Sequence, residues 1–520
     1  MHEQDVAGTH PRAGRREWIG LAVLALPALL VALDIGVLFL ALPHLSADLR
    51  ATGAEQLWIM DSYGFLLAGF LITMGSLGDR VGRRRLLLIG AAAFGAASVL
   101  AAYASSPQML IVARGMLGIA GATLGPSTLA LISNMFADAR QRGLAFSVWA
   151  ACQFGGGALG PVIGGVMLNH FWWGSAFLLG VPVMVLLLVV GPVLLPEYRV
   201  PGAGRIDLFS VALSLLAVLP VVYGIKELAA GDNSSPAPAI VAIVAGVIMG
   251  ALFVLRQRRL EHPLVDLRLF VKTSFRVMLT AMALGSGALA GISLLTSQYV
   301  QSVVGLSPAE AGLWQAPTGV GIAAGVLLAP KLVTVVRPTT AIVFGLSLSA
   351  VGMLLLTQLG SSGGLVFVVV CVALVAFGIG PMFALGTGLV VSSAPPERAG
   401  SAASLSETSN VLGSTLGLAI LGTVGTAIYR NQLVDSAPAG VPAAVVGAAR
   451  ETMGGVAAAV GQLPAGPASE LFATARESFT SGLNVVAAVG AVVIIGVAFA
   501  VRVALRQKAA QAEEVTADAG

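Results

Sequence analysis

The sequence has little charge: only 10% of its 520 residues are Asp, Glu, Lys or Arg, whereas soluble chains carry about 25%. The hydrophobic fraction is 57%, and it is arranged in long continuous runs. This pattern excludes a soluble multi-domain enzyme. It also excludes a membrane β-barrel, whose strands alternate apolar and polar residues. The apolar content leaves room for disorder only near the chain ends.

Cysteine and the common catalytic motifs are scarce as well. The two cysteines, Cys152 and Cys371, lie inside apolar runs, so they indicate neither a disulfide framework nor a metal site. The sequence contains no G-x-x-x-x-G-K-[ST] phosphate loop and no H-E-x-x-H pair. We therefore expect no enzyme activity, no cofactor and no bound metal. The first apolar run is too long for a cleavable signal peptide.

The sequence is rich in apolar runs of membrane-spanning length, about 20 residues. Fourteen of them are separated by Pro, Gly and charged residues, and they fall at about 17–42, 57–78, 86–104, 109–131, 143–168, 175–196, 207–229, 238–255, 275–300, 310–330, 339–358, 364–389, 400–428 and 481–501. An all-α membrane protein with fourteen transmembrane helices is the predicted fold class.

The basic residues are distributed asymmetrically between the connections. With the N-terminus placed inside, 23 of the 29 Lys and Arg residues fall on the inner side, and Arg114 alone falls deep within a run. Cytoplasmic flanks of membrane helices are enriched in this way. Both termini are therefore predicted to be cytoplasmic, in a multi-pass protein of the inner or plasma membrane.

The connection between the second and third runs carries the most ordered motif. It reads Gly-Ser-Leu-Gly-Asp-Arg-Val-Gly-Arg-Arg-Arg, and its candidate latch residues are Gly75, Asp79, Arg80, Gly82 and Arg83. Glycine permits a tight turn with close helix approach, and an acidic side chain is favoured at a neighbouring helix N-terminus. A structural latch is predicted. For Arg84 and Arg85 the alternative is a basic loop that only sets orientation.

Charged residues inside the runs are the candidate functional groups, because a charge at mid-bilayer costs at least about 2.5–3.5 kcal/mol. They are Asp34, Asp61, Glu407 and Arg114. A carboxylate in this setting can hold either a proton or a lipophilic cation. The alternatives are a satisfied structural hydrogen bond for Asp34, a cap near the outer surface for Asp61, and a structural ion pair for Arg114.

Two further sets complete the candidates. A face of small residues in the fifth run, typical of close helix packing, comprises Gly156, Gly160, Pro161, Gly164 and Gly165. Aromatic faces attract cations, and the aromatics that could line a cation site are Trp58, Tyr63, Trp149, Phe154, Tyr299 and Trp314. Individually, each aromatic is also explained as a core or interface residue.

These motifs resemble those of the major facilitator superfamily. The Gly75–Arg85 segment is similar to its G-x-L-x-D-R-x-G-R-[KR] loop, and Gly156–Gly165 is similar to its antiporter motif. The stretch Leu33-Asp34 with Ala41-Leu42-Pro43 resembles the first-span signature of fourteen-span drug:proton antiporters. The 56–70 stretch resembles that of the QacA/SmvA/LfrA-like multidrug exporters. The likeness extends over nearly the whole chain.

The resemblance implies a 6+2+6 major facilitator fold with two pseudo-symmetric six-helix bundles. The implied divisions are a cytoplasmic tail at 1–16, an N-terminal bundle at 17–196, two inserted helices with a cytoplasmic connection at 197–274, a C-terminal bundle at 275–503 with a long extracellular loop at 429–480, and a cytoplasmic tail at 504–520. Within 429–480 the pattern predicts a helical or hairpin-like excursion.

The implied function is proton-driven export of hydrophobic cations by alternating access, with Asp34, Asp61, Glu407 and Arg114 as coupling residues. We expect cationic small molecules, protons and the lipid bilayer as partners, no nucleic acid, and a monomer. An exporter of a self-made antibiotic, metabolite or lipid on the same fold is the alternative, and a non-transporting membrane sensor is a second. Ser406-Glu407 stands where the family has an adjacent acidic pair, which argues against carrying over transport of divalent cations.

The predicted topology can be tested by cysteine labelling. Single cysteines placed in 429–480 are expected to react with a membrane-impermeant maleimide only from outside, and those in 256–272 only from inside. The measurement compares intact cells with inverted vesicles. Labelling of both segments from the same side would contradict the topology.

Overall fold

The protein is described by a computed structural model. It covers residues 13–51, 53–199, 207–230, 236–261, 263–361, 364–395, 398–438, 441–450, 453, 456 and 463–517. The regular elements in these residues are helices, and the described part contains no strand.

The N-terminal half begins with a helix of 35 residues. Its helices are α1 (Arg15–Leu49), α2 (Gly53–Val81), α3 (Arg83–Ala102), α4 (Pro107–Met135), α5 (Ala139–His170), the short α6 (Ser175–Leu178) and α7 (Gly180–Leu194). Polar side chains cap the N-termini of two of these helices. Ser106 accepts from the Met109 amide at 3.2 Å at the start of α4, and Asp138 accepts from the Gln141 amide at 2.8 Å at the start of α5.

The rest of the chain contains the inserted pair and the C-terminal half. The helices are α8 (Leu208–Ala230), α9 (Ala237–Gln257), α10 (Thr273–Ser302), α11 (Pro308–Val333), α12 (Pro338–Leu356), α13 (Leu365–Ser392), α14 (Ala399–Asp435), the short α15 (Ala443–Ala449) and α16 (Ala465–Ala517). A short 3-10 helix, Leu267–Val271, precedes α10.

Thirteen helices in the described residues are long and apolar enough to cross a membrane. One of these spans, Ser175–Leu194, consists of α6 and α7 together. The 32-residue α5, which packs between α1 and α11, supplies a fourteenth. The predicted fold class and the predicted number of spans are therefore confirmed.

Each half is assembled through close contacts between helices at glycine. In the C-terminal half, α10 and α14 pack so closely that a Cβ on Gly417 would collide with the backbone of Gly287. Across the two halves, α5 packs against α11 and α2 packs against α14. Small residues serve this purpose in membranes because lipid tails are as apolar as the helices, so association depends on tight packing.

The inserted helices α8 and α9 pack against each other, and α8 contacts both α2 and α14. At their predicted cytoplasmic ends, Arg256 donates from Nε and Nη2 to Asp207 at 2.6 and 3.0 Å. These hydrogen bonds hold the pKa of the Asp207 carboxyl well below its usual range. Asp207 stays ionised at physiological pH, since the pair is lost only when the pH falls through that lowered pKa. It is an anchor and not a group that exchanges protons.

Helices extend into the predicted outer segment at 429–480 from both of its ends. The helix α14 continues to Asp435 and α16 begins at Ala465. A small hydrophobic cluster holds these extensions together, and it includes Tyr429, Leu433 and Leu471. At its other end α16 continues without a break past residue 503 to Ala517. An amphipathic stretch stays helical outside the membrane when it packs against a partner helix. The lengths of the apolar runs in the sequence do not reveal such a partner.

Close packing at Gly417 predicts that a single methyl group there is destabilising. Gly417→Ala would overpack the α10–α14 contact, at a cost of about 1–3 kcal/mol. The matched control is Gly143→Ala in α5, where a Cβ would meet nothing within 4 Å. We expect thermal unfolding in detergent to occur at a lower temperature for Gly417→Ala only. An equal shift in both variants would contradict this account.

Candidate functional site

Arg114 and Asp34 form an ion pair between α4 and α1 inside the N-terminal half. Arg114 is 1% exposed, and the side chain of Asp34 is 12% exposed. Arg114 has two further contacts on α2: its Nε donates to the Ile59 carbonyl at 3.2 Å, and its guanidinium lies over the Tyr63 ring at 4.6 Å. A buried guanidinium is thus held by a carboxylate, a carbonyl and an aromatic face, each of which favours positive charge.

Glycines in α4 make room for this arrangement. A Cβ on Gly118 would collide with the Tyr63 carbonyl, and a Cβ on Gly121 would meet the Tyr63 hydroxyl at 3.4 Å. The α2 backbone therefore approaches α4 closely enough for Ile59 and Tyr63 to contact Arg114. The sequence predicted Asp34, Tyr63 and Arg114 as candidates, and the structure brings these three together.

Glu407 lies on the other half and has a different environment. It is 7% exposed on α14, and its carboxyl carbon lies 4.0 Å from the position a Cβ would take on Gly125 of α4. In the described part of the chain no hydrogen-bond donor or basic group contacts its carboxylate. Nearby polar contacts on α14 and α10 join other atoms, such as Ser286 Oγ donating to Asn410 Oδ1 at 3.0 Å.

The two acids occupy different levels of the membrane. Arg114 and Gly125 are eleven residues apart on α4, which corresponds to roughly 16 Å along a helix axis. Glu407 is eight residues from the start of α14, or about 12 Å from the predicted cytoplasmic face. The Asp34–Arg114 pair lies further toward the predicted outer face. Asp61 is half-buried near the outer end of α2, on the same helix as Ile59 and Tyr63.

The predicted latch residues connect the two halves at the predicted cytoplasmic face. Asp79 and Arg83 form a buried ion pair, and Ser401 of α14 donates to Asp79 at 3.3 Å. A Cβ on Gly75 would lie 2.5 Å from Ser404 Oγ, and a Cβ on Gly400 would collide with the Arg83 guanidinium. The seam between α2 and α14 therefore closes around a buried charge pair.

Residues outside the Gly75–Arg85 motif stabilise the turn between α2 and α3. Gly82 has a φ of +117°, a conformation that a side chain strains. The Arg83 amide donates to the Tyr198 carbonyl at 2.9 Å, and the Arg84 amide donates to Glu197 at 3.2 Å. Arg80 is buried at the end of α2. Arg84 and Arg85 both lie near the Glu197 carboxylate, at 3.6 and 3.8 Å.

The glycine face of the fifth span lies against α1. A Cβ on Gly156 would be 2.6 Å from the Leu29 carbonyl, one on Gly160 would be 2.9 Å from Gly36, and one on Gly164 would be 3.1 Å from Val37. The surroundings of Pro161 and Gly165 lie outside what the structure describes. This face fixes α1, and with it Asp34, against α5.

The candidate aromatics are distributed over several environments. Phe154 stacks on Phe383 of the opposite half at 4.3 Å between ring centroids. Trp149 is buried and donates to Thr128 at 3.0 Å, and Tyr299 is buried and donates to the Gly360 carbonyl at 2.8 Å. Trp58 and Trp314 are 46% and 40% exposed. Only Tyr63 contacts one of the candidate charged groups among the described residues.

Sequence reasoning missed the partners on the facing helices. Gly125 opposite Glu407 and Gly400, Ser401 and Ser404 opposite the latch belong to the site. The small residues at the start of α14 were a signal that could have indicated a close contact, but not with which helix. Glu197 accepts a hydrogen bond at the turn between α2 and α3, but it lies in a connection that carries no recognisable sequence motif.

Comparison with known proteins agrees with this architecture. The family model of the Major Facilitator Superfamily matches residues 24–418. The chain belongs to the Major Facilitator Superfamily. It is 42% identical over 496 residues to the multidrug efflux pump LfrA of Mycolicibacterium smegmatis, covering 95% of this chain and 98% of that protein. It is 34% identical to the methyl viologen resistance protein SmvA of Salmonella typhimurium, with 89% and 93% covered.

A third relative is the tetracenomycin C resistance and export protein of Streptomyces glaucescens, 30% identical over 96% of this chain and 94% of that protein. Among solved structures, the human organic anion transporter MFSD10 superposes with a TM-score of 0.59 at 14% identity, covering 92% of this chain and 99% of that one. That likeness shows the fold alone. The family member described here is a multi-pass plasma-membrane transporter and not an enzyme.

The packing at Gly400 predicts a variant that opens the predicted cytoplasmic face. Gly400→Ala would place a methyl group on the Arg83 guanidinium and push α14 away from α2. Spin labels on exposed Arg85 and exposed Lys331 would report the separation of the two halves. We expect a distance longer by several ångströms in Gly400→Ala.

Gly422→Ala is the matched control for this measurement. It lies on the same helix, but its Cβ would meet only Leu294 Cδ2 at 3.3 Å, far from the latch. An unchanged distance distribution in Gly400→Ala would show that the seam does not depend on this contact.

Proposed function

We propose that this transporter exports hydrophobic cations, such as quaternary ammonium compounds and cationic dyes, in exchange for protons. The observation that carries the proposal is the pair of largely buried acids in opposite halves, Asp34 with one basic partner and Glu407 with none in the described residues. Similarity to proteins named for multidrug efflux and methyl viologen resistance supports a drug-export role.

Asp34 can exchange its positive partner. Its carboxylate is neutralised by Arg114 in this conformation, and a proton or a cationic substrate can take the same place. Arg114 does not become an isolated charge when that happens, because Ile59 and Tyr63 hold it from α2. Exchange at Asp34 therefore avoids the large cost of leaving a buried guanidinium without any partner.

Glu407 supplies the complementary role from the C-terminal half. A buried carboxylate without a cation or donor favours its protonated form, since burial disfavours charge. Losing that proton as the predicted cytoplasmic face opens would create an anionic site for a cation. A monovalent cation needs only one carboxylate, so Glu407 would broaden the range of accepted substrates while Asp34 couples each of them to the proton.

The seam at Asp79 and Arg83 would gate access to Glu407. In the conformation described, α2 and α14 are in contact at the predicted cytoplasmic face. Major facilitator proteins bind substrate between their two bundles and alternate by rocking of one bundle against the other. Breaking the contacts between the Arg83 region and Gly400 would expose the cavity to the cytoplasm, where the drug enters.

The proton motive force is sufficient to drive export of a cation against its concentration gradient. Each proton moved across 100 mV supplies about 2.3 kcal/mol, and a tenfold concentration gradient costs about 1.4 kcal/mol. Exchange of one proton for one monovalent cation moves no net charge and uses the pH gradient only. A second proton would recruit the membrane potential.

Substitution of the three acids should separate their roles. Asp34→Asn is expected to abolish export of every cation while the protein still folds and inserts. Glu407→Gln should narrow the substrate range, and Asp61→Asn should have the smallest effect because that residue is close to the outer water. The measurement is ethidium and benzalkonium efflux at matched expression.

Asp48→Asn is the control for these variants. It changes an acid on the same helix as Asp34, but Asp48 accepts a hydrogen bond from Trp173 at the end of α1, 2.7 Å away, and lies outside the proposed site. Efflux that survives Asp34→Asn, with Glu407→Gln inactive for all substrates, would contradict this assignment. It would place the proton exchange in the C-terminal half, at Glu407.

A proton-release assay on the purified protein tests the substrate class directly. Cationic compounds are expected to release protons in a concentration-dependent way, and neutral and anionic compounds of similar size are not. Release by neutral compounds only would overturn the proposal of cation export.

A second candidate is export of a single antibiotic or metabolite. The relation to a tetracenomycin C export protein favours it. The same assay distinguishes the two, because a dedicated exporter would respond to one compound and ignore unrelated cations.

A further inference from the structure

A groove of about 460 Å³ lies between α10 and α16, away from the site described above. These two helices, both in the C-terminal half, form its walls. Several lining residues are exposed, among them Leu284 and Val492. Both helices are membrane spans. The groove is therefore open toward the lipid and not toward the space between the two halves.

The groove is polar at one end only. Thr273 and Arg276 lie in the first turn of α10, at the predicted cytoplasmic face, and Thr280 follows one turn later. Arg276 Nη2 lies 3.4 Å from Thr273 Oγ1. No carboxylate in the described part of the chain pairs with Arg276. The lining beyond Thr280 is apolar, so the groove offers a positive end and an apolar length.

The length of the groove corresponds to one leaflet. Leu284 lies eleven residues after Thr273 along α10, which corresponds to about 17 Å along the axis. Half of a bilayer's hydrocarbon core is about 15 Å. The positive end then lies at headgroup depth and the apolar end near mid-bilayer.

Gly496 keeps the groove open on the α16 side. A Cβ built on Gly496 would meet nothing within 4 Å, although the residue lines the groove together with Val497 and Ala500. A larger side chain at this position would project into the space. The neighbouring residue Ile495 is half-exposed and does not line the groove.

We propose that this groove binds an anionic phospholipid of the leaflet at the arginine-rich face. The phosphate accepts hydrogen bonds from Arg276 and Thr273, and one acyl chain lies along the apolar walls toward Leu284. The charge of Arg276 selects an anion and repels a cationic substrate. The apolar length selects a lipid over a soluble phosphate, because burial of a chain in the groove contributes only for a ligand that carries one.

The test is native mass spectrometry of the full-length protein in detergent, titrated with phosphatidylglycerol or phosphatidylcholine. We expect one phosphatidylglycerol to bind more tightly than phosphatidylcholine. Arg276→Ala should weaken that lipid by about tenfold, as expected for one lost charge-assisted hydrogen bond. The control Arg337→Ala removes another exposed arginine from the same face, at the start of α12, and should leave binding unchanged.

Two further variants test the groove itself. Gly496→Phe should abolish the site for both lipids, and Ile495→Phe should not; unfolding temperatures establish that each variant is folded. If Gly496→Phe does not fold, the Arg276→Ala and Arg337→Ala pair decides the matter alone. Equal phosphatidylglycerol binding in wild type and Arg276→Ala would overturn the proposal. So would a shift between monomer and dimer in Arg276→Ala, which would make the groove an interface between copies.

Discussion

A guanidinium inside a membrane cannot remain without partners, and this constraint organises the N-terminal half. Arg114 on α4 requires an anion, which Asp34 on α1 provides, and it also binds a carbonyl and an aromatic ring on α2. Three helices therefore converge on one charge. The glycines that permit this approach, Gly118 and Gly121, follow Arg114 on the same helix, so the charge and the space it requires are encoded together.

The two halves hold their intramembrane carboxylates in different surroundings. Asp34 is paired with Arg114, whereas Glu407 has no hydrogen-bonding or basic partner in the described residues. Asp79 adds a third arrangement, an ion pair sealed by a facing helix. A conformational change that exposes one carboxylate while covering another would convert a proton gradient into movement of a cation.

Helix contacts at glycine hold without large interlocking side chains, which suits the conformational change that the proposed exchange requires. The face of Gly156, Gly160 and Gly164 fits α5 to α1, and Gly75 and Gly400 fit α2 to α14. Within a half, helix pairs such as α1 with α5 and α10 with α14 pack closely. Between the halves, the contacts at the latch depend on a single buried ion pair and a few small residues, which is the kind of seam that can open and close.

The sequence determined the spans and located the charged residues inside them. Placing a polar group in hydrocarbon costs free energy at each residue separately, so its effects can be read from the sequence alone. They are the fourteen apolar runs, the uneven distribution of the arginines, and the isolated charges at Asp34, Arg114 and Glu407. The sequence could not say which charges pair. Arg114 could have joined Asp34 or Asp61, and nothing local marks Gly400 as the partner of Arg83, since these contacts join helices far apart in the chain. Tertiary structure alone decided them, because a pairing between helices depends on how all of the helices pack and not on the composition of any one.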